Sequence, residues 1–170
     1  GEQCYAGLDL ASTSDLCALT LYFPALHYVL PFFWLPEETA VLRERKTRVP
    51  YPAWVQQGFI RTTEGNVTDY DVIRADINGL QGRFNIVEIA IDRWNSSQLQ
   101  TQLIGDGFEV VPFGQGFASL SAPSKELERL VLSKGLRHDG NPVLRWNMSN
   151  VMLETDAAEN IKPSKKRSSE

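Results

Sequence analysis

Asp9 lies in Cys4-Tyr-Ala-Gly-Leu-Asp-Leu-Ala-Ser-Thr, an alternating apolar strand pattern with a carboxylate in its middle. An ionised side chain on a core strand is costly unless it is paired or bound to a metal. A second segment repeats the arrangement: Asn85-Ile-Val-Glu-Ile-Ala-Ile-Asp, ending at Asp92. Two carboxylates brought a few ångströms apart repel when both are ionised. Hard divalent cations remove that conflict. Mg²⁺ takes oxygen ligands and is often held by only one or two carboxylates plus substrate phosphate. Two such ions about 4 Å apart stabilise the attacking and leaving oxygens of a phosphodiester displacement. Asp9 and Asp92 are therefore the leading candidates for metal ligands and for catalytic residues.

Further residues rank below them. Asp15 sits in a turn cluster, where acids commonly serve as turn formers, and is a candidate second-shell group. Glu88 precedes Asp92 by four residues, hence on the same strand face, and is a candidate extra ligand or a packing partner. Asp9 has a plainer role open to it as the cap of the Ser12–Ser14 turn. Asp92 has one as the cap of a helix at Ser96 or as a partner of Arg93. His138, alone in a loop, is solvated or a local hydrogen-bond partner, or else a group that contacts DNA or helps a leaving group. The Gly114-Gln-Gly-Phe117 turn reads as a connector. Trp54, Trp94 and Trp146 read as packing.

Other chemistries lack their parts. Two distant histidines and two cysteines offer no zinc spacing. There is no Gly-x-x-x-x-Gly-Lys phosphate loop, and no Ser-His-Asp or Cys-His pattern. Cys4 and Cys17 read as buried core residues of a reducing compartment.

The elements that must position the acids follow from pattern. Residues 4–11, 16–23 and 27–34 read as three strands in an antiparallel meander. A helix opens at Pro36-Glu37-Glu38 and runs to about Lys46. Residues 49–54 read as a proline-broken loop, with room for one helical turn before Gly58, and Phe59–Thr62 as a short extra strand. Apolar residues 72, 73, 77 and 80 give a helix over 69–81. A strand over 85–92, a helix over 96–106, a strand over 108–113 and helices over 122–134 and 141–150 follow. Residues 151–154 read as short and extended. The expected fold class is α/β: a mixed sheet of three antiparallel strands and then parallel βα units, with helices on both faces. Helical crossovers allow the first strand and the 85–92 strand to lie side by side. Their acids then meet near the carboxyl ends, where open α/β sheets bind ligands.

The 170 residues suit one domain. Net charge is −4, and the 160–170 tail is basic and polar. Lys162, Lys165, Lys166 and Arg167 against one acid leave the rest of the chain near −7. Such a body binds nucleic acid only where metals and a local basic strip neutralise the contact face. No apolar run approaches the roughly 18 residues of a membrane span, so no membrane partner is expected. The opening Gly1-Glu2-Gln3, without Met, reads as part of a longer protein.

Taken in order, Gly7-Leu-Asp-Leu-Ala, the turn with Asp15, Asp92-Arg-Trp-Asn, the stretch 107–116, His138–Pro142, Trp146–Asn150 and Asp156–Asn160 with its lysines resemble the nuclease domain of the tailed-bacteriophage terminase large subunit. The resemblance implies a ribonuclease-H-like fold and an endonuclease using two divalent cations, Mg²⁺ or Mn²⁺, to cut concatemeric viral double-stranded DNA during packaging. It implies an ATPase motor domain in the same parent chain, partners in the portal and the small terminase subunit, and the cytoplasm of an infected or lysogenic bacterial host. The family's first and second acids fall on Asp9 and Asp92. Its third is expected after the Lys/Arg/Ser-rich segment, past Glu170, with Asp156 the nearest local substitute. His138 and the four tail cations become candidate DNA contacts. A second reading is a DNA-holding or portal- or motor-docking module without cleavage. A third, the phosphate loop of actin-like sugar kinases, fails because such enzymes need a second, similar domain.

Overall fold

The computed structural model describes residues 1–11, 13, 15–92, 97–166 and 168. The expected roles of Ser12, Ser14, Arg93, Trp94, Ser96 and Arg167 lie outside the described residues. Three strands open the chain: β1 (Gln3–Asp9), β2 (Cys17–Phe23) and β3 (Tyr28–Pro36). Helices α1 (Glu37–Thr47) and α2 (Tyr51–Gln56) lead to β4 (Arg61–Thr63). Then come α3 (Tyr70–Gln81), β5 (Asn85–Asp92), α4 (Ser97–Gly105) and β6 (Val110–Phe113). The chain continues through α5 (Phe117–Leu132), α6 (Pro142–Asn150), β7 (Leu153–Thr155) and β8 (Ile161–Pro163).

Six strands form one sheet in the order β4-β3-β2-β1-β5-β6. β1 pairs antiparallel with β2, and β2 with β3. β5 and β6 add in parallel beyond β1, and β4 in parallel beyond β3. β7 and β8 form a separate antiparallel hairpin.

Strand alternation sorts the side chains between two faces. On one face Leu8, Leu19, Leu21, Ile89 and Ile91 meet Ile73, Ile77 and Leu80 of α3 and Leu99 and Leu103 of α4. On the other, Phe33 and Leu35 meet Ala40 of α1, Tyr51 and Trp54 of α2, and Val143 of α6. Helices thus cover both faces, but the second cluster is built on β3. The outward residues of β1 remain accessible: Tyr5, Gly7 and Asp9 alternate with buried Cys4, Ala6 and Leu8.

Caps and clips fix the helices that matter most. The Asp69 carboxylate accepts the Asp71 N–H at 2.9 Å and starts α3. Arg74 of α3 forks onto Asp106, both bonds at 2.6 Å, and Asn78 adds a third at 2.8 Å. These donors hold the Asp106 carboxyl down at about 2, tying α3 to the turn that follows α4. Asn141 caps α6 through Val143 N and Leu144 N, with Pro142 in the first turn.

The elements differ from the pattern in four places. β1 stops at Asp9, because the backbone of Ala11 bonds to side chains instead of a neighbouring strand. Residues 51–56 form a helix despite Pro50 and Pro52, since proline suits a first turn. α5 begins at Phe117 rather than at Ala122, with Pro123 inside it. That proline denies the Ser119 carbonyl its helical partner. The early turn is held from outside instead: Ser121 Oγ accepts Ile161 N–H at 3.2 Å, and the Lys162 ammonium sits 5.0 Å from the Phe117 ring centre. Finally, the polar stretch after Asp156 contains β8, pinned to α5 by those same contacts.

Leu19 is fully buried on β2, between β1 and β3. Leu19→Ala should lower unfolding free energy by about 2–5 kcal/mol, read from a urea titration as a lower midpoint with little change in slope.

Candidate metal centre

The parallel pairing of β1 and β5 sets the site. Leu8 lies beside Ile91, and Gly7 beside Ala90. One residue further on, each strand ends in an acid, so Asp9 and Asp92 are level on neighbouring strands. Leu8 and Ile91 are buried on the α3–α4 face; alternation sends both acids to the opposite one. There they line one cavity of about 380 Å³ with Gly7, Ala18, Thr20, Ala90, Phe113 and Gln115 among its walls. Its floor is made of small side chains. Gly7 is open above, with no atom within 4 Å of where a Cβ would stand.

Asp9 keeps contact with solvent, yet the surrounding strands take away part of its hydration. That burial pushes its carboxyl above the ordinary value, countered by Lys165 and reinforced by the charges of Asp92 and Asp15. The half-buried Asp92 also has its backbone carbonyl contacted by Gln100 Nε2 at 3.4 Å.

The segment after Asp9 is pinned by groups that pattern alone did not single out. Ala11 N–H donates to Cys17 Sγ at 3.2 Å, and Tyr70 O–H donates to the Ala11 carbonyl at 2.6 Å. Cys17 is buried, as expected, but its thiol also closes this turn. Tyr70 acts across 59 residues, a separation at which local sequence carries no signal. Asp15 is bound by Arg43 of α1.

The remaining candidates are dispersed. Glu88 is on the Asp92 face, beside Tyr5, and is not part of the cavity wall. Asp156 is a turn former: its carboxylate accepts Ala158 N–H and Asn160 N–H at 3.0 and 2.8 Å and the Asn160 side-chain amide at 3.0 Å. Those bonds hold its carboxyl below the ordinary range. His138 is exposed and accepts Gly140 N–H at Nδ1, 3.0 Å away. Its neighbours Asp139 and Asn141 line a different cavity, along β3 and α3. Lys162 lies between Phe117 and Glu154. Lys166 is exposed. Among the described tail cations, Lys165 is the one whose charge acts on Asp9.

Among the described residues, no three His, Cys, Asp or Glu side chains gather around one point. The Asp9–Asp92 pair nonetheless fits a hard divalent cation. Both donors are carboxylate oxygens, and their mutual repulsion is what such an ion relieves.

An open mixed sheet with two acids at the carboxyl ends of adjacent parallel strands defines a class: α/β domains of the kind that bind ligands outside the strand ends. The comparisons make the class specific. The family model described as "Terminase large subunit, endonuclease domain" matches residues 1–170. The large terminase subunit of Enterobacteria phage HK97 is 38% identical over 171 residues, covering 98% of this chain and 34% of that protein. Protein YmfN of Escherichia coli K12 is 30% identical, covering 91% of this chain and 36% of its own. The crystal structure of the HK97 large terminase superposes with a TM-score of 0.91 at 37% identity, over 99% of this chain and 36% of that one. The large terminase nuclease of thermophilic phage G20c superposes at 0.63 with 10% identity, over 97% of this chain and 72% of that one. Its form with bound magnesium superposes at 0.53 with 12% identity, over 94% and 70%. The chain belongs to the terminase large-subunit endonuclease-domain family, and its fold is the ribonuclease-H-like one of these nucleases. It spans about a third of the length of the HK97 and E. coli proteins.

The charge state of Asp9 gives a measurable sign. A carboxyl whose pKa rises on folding destabilises the fold when ionised. The penalty is absent in acid, grows as pH rises through the ordinary carboxylate range, and is complete above the raised folded value. Asp9→Asn should therefore raise Tm in chelator at neutral pH and leave it unchanged in acid, where Asp9 is protonated.

Proposed function

We propose that this domain is a divalent-cation-dependent endonuclease that cuts concatemeric viral double-stranded DNA during genome packaging. The observation that carries the reading is the level placement of Asp9 and Asp92 on β1 and β5, facing one cavity with a low floor. The family match and the magnesium-bound relative support it.

Asp9 and Asp92 would hold one or two Mg²⁺ or Mn²⁺ ions. Such a cation would supply an activated water and charge neutralisation at the scissile phosphate. The protein's share is positional. Asp9 and Asp92 direct carboxylate oxygens to the same side of the sheet. Gly7, Ala18 and Ala90 leave room for a sugar–phosphate backbone above the floor. Lys165 offers a positive charge beside Asp9, and Lys162, Lys166 and Arg167 are further candidate phosphate contacts. His138, on a loop at the other cavity, would touch DNA only at a distance from the acids. Phosphate contacts position DNA without reading bases, so low sequence specificity is expected.

By the same reading the whole protein works with an ATPase motor, a portal and a small terminase subunit, in the cytoplasm of an infected or lysogenic host. The cavity presents two acids among the described residues, which gives the DNA-holding or docking reading its support. Plasmid nicking separates the two. Mn²⁺-dependent relaxation of supercoiled plasmid should be present in the wild-type protein and fall to background in both Asp9→Ala and Asp92→Ala. Undiminished nicking by Asp9→Ala would sink the assignment. DNA binding without Mn²⁺ uptake would favour the holding module.

A further inference from the structure

The turn that follows Asp9 has an anchor on another element. Arg43 projects from α1 and its Nη2 donates to Asp15 Oδ1. Its Nη1 lies 3.4 Å from the Tyr51 hydroxyl, and the guanidinium sits 5.6 Å from the Tyr51 ring centre. Tyr51 is itself buried in the aromatic cluster with Trp54 and Trp146. The helix end carrying Arg43 is closed by Thr47, whose hydroxyl donates to the Arg43 carbonyl at 2.8 Å and accepts Val49 N–H at 3.3 Å.

The pair is lopsided. The Arg43 side chain is 12% exposed and that of Asp15 is 53% exposed. A pair this open on one side contributes little to stability, so stability gives no reason for the contact with Asp15. Its place in the fold does give one, because Asp15 stands three residues before Ala18, the ladder partner of Asp9. We propose that Arg43 is a positioning residue, which fixes Asp15 and, through the start of β2, holds Asp9 level with Asp92. Its planar fork is suited to this, since one arm meets the turn while the other stays with Tyr51.

This rests on the reading of Asp9 and Asp92 as cation ligands. The test is calorimetric titration with Mn²⁺ of the wild-type protein, Arg43→Gln, Asp15→Asn and the double variant, with Tm measured on each. Partners that orient metal ligands typically carry about 10–100-fold in affinity. Both single variants should therefore bind Mn²⁺ about tenfold more weakly. The double variant should be no weaker than Arg43→Gln, because the contact with Asp15 is already lost there. Asp15 is on an exposed turn, so its variant tests the contact even where Arg43→Gln fails to fold. Unchanged affinity with lowered Tm would make Arg43 a structural contact and overturn the proposal. Opposite shifts, tighter for Arg43→Gln and weaker for Asp15→Asn, would show charge alone at work and overturn it too. Absence of Mn²⁺ uptake in the wild-type protein would instead reject the underlying metal reading, and the proposal with it.

Discussion

The register of β1 on β5 is the constraint that governs the whole site. The parallel ladder of β1 and β5 sets Leu8 beside Ile91 and, one step on, Asp9 beside Asp92. Strand neighbours are about 5 Å apart, so the sheet holds two carboxyl groups together, and partial burial raises the pKa of the Asp9 one. Such an arrangement persists only when the rest of the fold over-determines it. The residues beneath show how: Leu8, Ile89 and Ile91 are locked into the core under α3 and α4, and the acids cannot separate without disturbing that packing. What the fold spends on the acid pair, a bound cation would return.

The two faces of the sheet divide the labour. The α3–α4 face supplies cohesion and a fixed register. The opposite face supplies access, because its apolar cluster is built on β3 while Gly7, Ala18 and Ala90 keep the floor by the acids low. The β1–β2 turn is held at Ala11 by Cys17 and Tyr70 and at Asp15 by Arg43. These contacts come from β2, α3 and α1, so the geometry at Asp9 draws on most of the early chain.

Much of this was legible in the sequence, and for identifiable reasons. The two acids stood out because each comes near the end of a buried-looking apolar strand. The meander and the α3–β5 unit were readable from short connections and from residues 73, 77 and 80. The expectation that strand one and the 85–92 strand adjoin follows from crossover topology, and the ladder has that form. What escaped were contacts whose partners are far apart in the chain. Cys17 looked like an ordinary core thiol, and Tyr70 and Arg43 like ordinary helix residues. The start of α5 was misplaced because Pro123 reads locally as a boundary, while the contacts that hold residues 117–121 come from β8. Asp156 shows the converse: its acid was conspicuous, and the structure spends it on a hairpin turn.

The central claim is that Asp9 and Asp92 hold a divalent cation between β1 and β5. Anomalous diffraction from crystals soaked in Mn²⁺ addresses it directly. The account predicts a peak within coordination distance of both carboxylates, above the Gly7–Ala90 floor, that disappears in Asp9→Asn. Crystals that show no peak at this pair, or a peak that survives Asp9→Asn, would contradict it.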